Sequence, residues 1–90
     1  MLKIKDNVDL KELEEFIKKH KYKETGIWKN YDSNTGELRK VWIGTQWKTG
    51  GRSYKVAFEN NDKIIESAGG YGLNLLYDLI KDGLVEKVEE

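Results

Sequence analysis

The chain predicts an α+β fold: a helix, a four-stranded antiparallel β-meander, a second helix and a short C-terminal strand, with both helices packed on one sheet face. Three observations carry this expectation. Apolar residues recur at helical spacing near the start, at alternating spacing through the middle and at helical spacing again near the end. The turn signals Asn34-Thr35-Gly36, Thr49-Gly50-Gly51-Arg52 and Asn60-Asn61-Asp62 cut the alternating stretch into four strands. Asp9 and Gly83 stand where a helix cap and a helix stop belong. Ninety residues supply one core, so positions 1–90 are read as a single domain.

The first helix is expected from Leu10 to Lys19 or His20. Asp9-Leu10-Lys11-Glu12 has the form of a capping box, with Val8 and Leu13 as its hydrophobic staple. Leu10, Leu13, Phe16 and Ile17 make one apolar stripe, and acids lead while bases trail, as the helix dipole prefers.

Turn chemistry then sets strand registers. With Gly36 left-handed in a three-residue loop, Ser33 pairs with Glu37, Trp28 with Trp42 and Ile27 with Ile43. A one-residue change at that turn would bring Trp28 inside. With Gly50-Gly51 as a two-residue turn, Trp47 faces Tyr54, Thr45 faces Val56 and Ile43 faces Phe58. These counts put Ile27, Val41, Ile43, Thr45, Trp47, Tyr54, Val56, Phe58 and Ile65 on the inner face. Trp28, Asn30, Lys40, Trp42, Gly44, Gln46, Lys55, Ala57, Glu59, Ile64 and Glu66 fall on the outer one.

After Gly69-Gly70, the segment Tyr71 to Lys81 carries Leu73, Leu76, Tyr77 and Ile80 at helical spacing, with Leu75 and Leu79 widening the stripe. Asp82-Gly83 ends this helix. Leu84 to Val88 alternates and is expected as a short edge strand beside Leu2-Lys3-Ile4.

Composition excludes several function classes. Sixteen Lys+Arg balance sixteen Asp+Glu, which argues against the salt-sensitive phosphate binding of a basic nucleic-acid protein. Without cysteine there is no disulfide or thiolate chemistry. Met1 to Asp6 lacks the apolar run of a signal peptide, and no run approaches the ~20 residues that span a bilayer, so a cytoplasmic location is expected.

Candidate chemical motifs are few. His20, the sole histidine, sits among Lys18, Lys19 and Lys21 where it complements a helix C-terminus. Asp32 to Glu37 superficially resembles a calcium loop, but its glycine falls one place early and the distant bidentate glutamate is missing; a hairpin turn accounts for the same residues. Gly69-Gly70-Tyr71-Gly72 lacks the Lys-Ser/Thr of a phosphate loop. No catalytic centre, metal site or cofactor is therefore expected. The order helix, strands, helix resembles the double-stranded-RNA-binding domain in topology, yet Ala68 to Asn74 contains none of the lysines that begin its second helix.

The sharpest feature is Trp28 opposite Trp42 on the outer sheet face, with Gly44 and Ala57 beside them leaving a shallow depression and Asn30, Lys40, Gln46 and Lys55 as a polar rim. An aromatic centre with a polar rim is the composition of a protein-interaction hot spot, for a partner or a second copy of the chain. The alternative use of such a face is to stack single-stranded nucleic acid with Lys40, Arg52 and Lys55. The structural explanation is a cross-strand pair that steadies the hairpin.

Leu76 to Val88 and Leu2 to Leu13 together resemble small uncharacterised proteins encoded by phages and prophages of low-GC Gram-positive bacteria. The resemblance covers both ends, about a third of the chain, and brings no catalytic motif. It implies a small accessory protein that binds a host or phage protein in the bacterial cytoplasm.

Overall fold

A computed structural model describes residues 1–20, 25–46, 50–67 and 72–89. The elements run β1 (Leu2–Ile4), α1 (Leu10–His20), β2 (Thr25–Tyr31), β3 (Leu38–Gln46), β4 (Arg52–Glu59), β5 (Ile65–Ser67), α2 (Gly72–Lys81) and β6 (Val85–Lys87). The α+β class, the meander and both helices are as expected.

Local chemistry explains the helix ends. Asp9 Oδ1 accepts the Glu12 N–H at 2.9 Å, and the stapled pair Val8 and Leu13 is buried. Gly83, at φ 78°, closes α2. Its N–H donates to the Ile80 carbonyl and the Leu84 N–H to the Leu79 carbonyl, each at 3.0 Å, which is the Schellman arrangement.

The face that α2 buries differs from the expected one. Leu75 and Leu79 are buried, while Leu73, Tyr77 and Ile80 are 60%, 65% and 45% exposed. Apolar residues surround this helix, so its periodicity does not select a face; the sheet does.

Strands β2-β3-β4-β5 form one antiparallel sheet in that order, and β1-β6 form a second. Leu2 pairs with Lys87 and Ile4 with Val85, as the alternation at the two ends suggested. A bridge between Lys3 and Ile64, and the Ile4 N–H donating to the Lys63 carbonyl at 2.8 Å, join the small sheet to the large one.

The first hairpin reaches the expected register by another route. Asp32 N–H donates to the Glu37 carbonyl at 2.7 Å, and Tyr31 pairs with Leu38, so the turn is one residue off the three-residue loop. The register then shifts between Asn30 and Tyr31, with Arg39 as the extra residue. That bulge restores Trp28 opposite Trp42 and Ile27 opposite Ile43.

The second hairpin departs further. Gln46 pairs with Arg52, so the connection spans 47–51 and is no two-residue turn; Trp47 lies outside the described residues. Ile43 faces Val56 and Val41 faces Phe58, two places from the expected pairs. An even slip preserves faces, which is why these four remain inside. A second shift, with Lys55 as the extra residue, then puts Tyr54 opposite Gly44 and turns Tyr54 outward.

One core results. Leu13 and Phe16 of α1 and Leu75 and Leu79 of α2 meet Val41, Ile43, Val56 and Phe58 on one sheet face, with Ile4, Val8 and Val85 completing the cluster. Both helices therefore cover the same face and leave the tryptophan face outside.

Candidate functional site

The outer face is built on β2, β3 and β4. Trp28 and Trp42 sit directly across from one another and both are half-buried. Tyr54, which sequence reasoning had placed in the core, joins them: its ring meets Trp28 edge-on at 5.8 Å and Trp42 at 5.7 Å, tilted by 35°. Half of Tyr54 stays exposed. Edge and tilted ring pairs at this separation are the favoured aromatic geometry.

The depression expected here is filled. Trp28 lies over Gly26, where a Cβ would meet ring atom Cη2 at 3.4 Å. Gly44 is buried, and a Cβ there would collide with the Ser53 carbonyl oxygen and come within 2.9 Å of the Tyr54 Cα. Gly44 thus serves the close approach of the bulged β4 backbone. Ala57, opposite Trp42, is buried despite lying on this face. The face presents a raised aromatic ridge.

Of the residues singled out as a rim, Asn30 pairs with Lys40 at one end of the ridge, and Gln46 lies exposed at the other end of β3. Lys55 occupies the β4 bulge, half-buried and out of the alternation that would have aligned it with the others. The Lys40 ammonium lies 5.4 Å from the centre of the Trp42 ring. It also pairs with Glu66 at 2.7 Å and, more loosely, with Glu59 at 4.0 Å. Two carboxylates thus flank one ammonium at this end.

Sequence reasoning missed Tyr54 as a site residue, although one signal pointed to it. An isolated glycine inside a strand marks a bulge or a close backbone approach, and Gly44 lies beside the β4 bulge at such an approach.

Titratable groups gather elsewhere, where α1 and α2 end. The His20 ring lies 4.6 Å from Phe16, its Nε2 is 2.8 Å from Asp82 Oδ2, and its Nδ1 faces Asp78 at 3.9 Å. Lys19 Nζ donates to Asp82 Oδ2 at 3.3 Å. The His20 hydrogen bond first, and Lys19 after it, hold the Asp82 carboxyl below the ordinary carboxylate range. In the first hairpin, Asp32 Oδ1 accepts the Asn34 and Thr35 N–H groups at 2.7 and 3.1 Å, which lowers its pKa and occupies it as a turn residue. Among the described residues, no cluster of three or more His, Asp or Glu side chains is placed to hold a metal ion, and no helix is long and apolar enough to cross a membrane.

Compared with protein-family models, curated proteins and solved structures, the chain matches none. Its site has to be read from its own geometry.

Proposed function

We propose that this chain is a non-catalytic protein-binding module whose docking surface is the ridge Trp28–Trp42–Tyr54. The carrying observation is that both helices cover the other sheet face, while three adjoining aromatic rings stay partly open to solvent on this one. Large aromatics in contact, surrounded by polar groups, are the anchors that dominate protein interfaces. The carboxylates of Glu59 and Glu66 beside Lys40 favour a partner with an apolar centre and a basic rim.

Protein is preferred over single-stranded nucleic acid for the same reason. Lys40, whose ammonium lies over the Trp42 ring, is engaged by two carboxylates, and phosphates would have to displace them. The sole histidine is held between Asp78 of α2 and Asp82 just beyond its end, which supports a role in packing. In the phage setting that the chain ends suggest, the partner would be a host or phage protein.

The test compares wild type with Trp28→Ala/Trp42→Ala for capture of proteins from a bacterial host lysate, followed by titration of each purified candidate. A partner that binds wild type and loses at least about tenfold in affinity with the double variant, far-UV CD unchanged, fits the proposal. Equal binding by the double variant sinks it. Tyr54→Ser, half-exposed, repeats the comparison should the double variant unfold.

A further inference from the structure

Among the described residues, strand β2 lies at one edge of the four-stranded sheet. Its hydrogen-bonding parity follows from one bond. Asn60 N–H donates to the Arg39 carbonyl at 2.7 Å, so odd-numbered residues of β3 turn their backbone groups to β4 and even-numbered ones to β2. Gly26, Trp28 and Asn30, which pair with Gly44, Trp42 and Lys40, therefore bond to β3. The backbone groups of Ile27 and Lys29 point away from the sheet, and among the described residues nothing hydrogen-bonds them.

A groove of about 300 Å³ runs along this edge, lined by Glu14, Ile17 and Lys18 of α1 and by Thr25, Gly26 and Ile27 of β2. Open strand backbone beside a groove that offers side-chain contacts is the geometry that accepts an added strand. Natural edges are often blocked by proline, short length or an inward charge. This one has seven residues and no proline, and its inward charge, Lys29, is drawn to Glu14 at 3.7 Å on the helix side.

We propose that a second copy of the chain occupies this edge, β2 against β2 about a two-fold axis at Trp28, to give a continuous eight-stranded sheet. Charge complementarity selects the occupant. The register that pairs the two open residues with each other sets Ile27 opposite the second copy's Lys29, so no like charges meet. The two-fold axis also runs the α1 helices antiparallel along the groove, bringing exposed Glu14 toward Lys18 of the other copy twice over. Trp28 then faces its own counterpart as a close, non-hydrogen-bonded pair, and the two aromatic ridges join into one band.

Sedimentation velocity from about 5 µM to 1 mM protein, with amide exchange by NMR over the same range, tests this and reaches the range of weak dimers. Wild type is expected to dimerise with concentration. The Ile27 and Lys29 amides should gain protection while those of Trp28 and Asn30, already bonded to β3, stay slow at every concentration. Lys29→Pro removes one edge N–H without touching the β2–β3 ladder and is expected to weaken the dimer at least about tenfold, whereas Lys29→Ala keeps the N–H and stays within about threefold of wild type. A wild type that is monomeric at 1 mM, or a Lys29→Pro dimer as tight as wild type, overturns the proposal. If Lys29→Pro unfolds, exposed Lys18→Glu carries the test: it should weaken the dimer by about threefold or more, and unchanged association overturns it. Trp42→Ala, away from the axis, reads partner docking alone, so failure of one proposal is distinguishable from failure of the other.

Discussion

Asp82 ends α2 and is claimed by two residues of α1, His20 at 2.8 Å and Lys19 at 3.3 Å. Together they tie the C-terminal ends of the two helices above the shared core. The folded pKa of Asp82 lies below its ordinary 3.8 because the ionised carboxyl accepts these bonds. A group depressed in this way stabilises the fold above the ordinary value, and that contribution disappears as pH falls through the folded pKa. Asp82→Asn should therefore melt at lower temperature than wild type near pH 6, with the difference shrinking as pH falls below about 4. Thermal unfolding by CD across that range checks it; a constant difference at all pH values would mean that Asp82 acts through shape. Asp6 and Asp32 are depressed as well, by Lys3 and by backbone N–H groups, but they titrate alike in both proteins and cancel from the comparison.

At the scale of elements, the β4 bulge decides what the outer face is made of. With Lys55 as the extra residue, Tyr54 moves from the inner face to a place against Trp28 and Trp42, and the bulge exists because Gly44 lets the β4 backbone come close. Gly44→Ala should thus destabilise the domain by at least about 2 kcal/mol, since a Cβ there meets rigid backbone, and urea unfolding measures it. A loss under about 0.5 kcal/mol would mean that β4 can pair without the bulge. How far the chain could be read in advance follows the same division. Asp9 and Gly83 were legible because caps are satisfied within a few residues of themselves. Trp28 opposite Trp42 was reached although the turn beneath it slipped by one residue, because the Arg39 bulge compensates. Burying Ile27 and Ile43 together requires that outcome, and no turn signal announces it. Tyr54 was misplaced because a bulge adds one residue to an alternation that otherwise looks regular. The buried face of α2 was misread because Leu73 and Ile80 are as apolar as Leu75 and Leu79 and Tyr77 adds an aromatic ring between them, so only the position of the sheet distinguishes the faces.

The whole molecule is held closed by its two ends. Beside the four-stranded sheet, β1 and β6 place Ile4 and Val85 in the same core that joins both helices to Val41, Ile43, Val56 and Phe58. Lys63, at φ 59°, fastens this corner: its carbonyl accepts the Ile4 N–H, and its Nζ donates to the Asp6 and Val8 carbonyls at 3.1 and 2.9 Å. A core shared between the two sheets cannot come apart in pieces without exposing apolar surface on both, so unfolding should be a single transition. Ile4→Ala tests the coupling at the core residue farthest in sequence from α2. Ile4 is fully buried, and the truncation should cost about 3 kcal/mol, a large share of the roughly 5 to 13 kcal/mol that a domain of this length holds. The melting temperature should drop by roughly 10 to 25 °C. Tryptophan fluorescence, to which Trp28 and Trp42 contribute from the outer face of the large sheet, should fall with the far-UV CD signal at the same temperature in both proteins. If the fluorescence transition stays in place while the CD midpoint moves, the large sheet is stable without its terminal strands, and the aromatic ridge is carried by a smaller folding unit than the full chain.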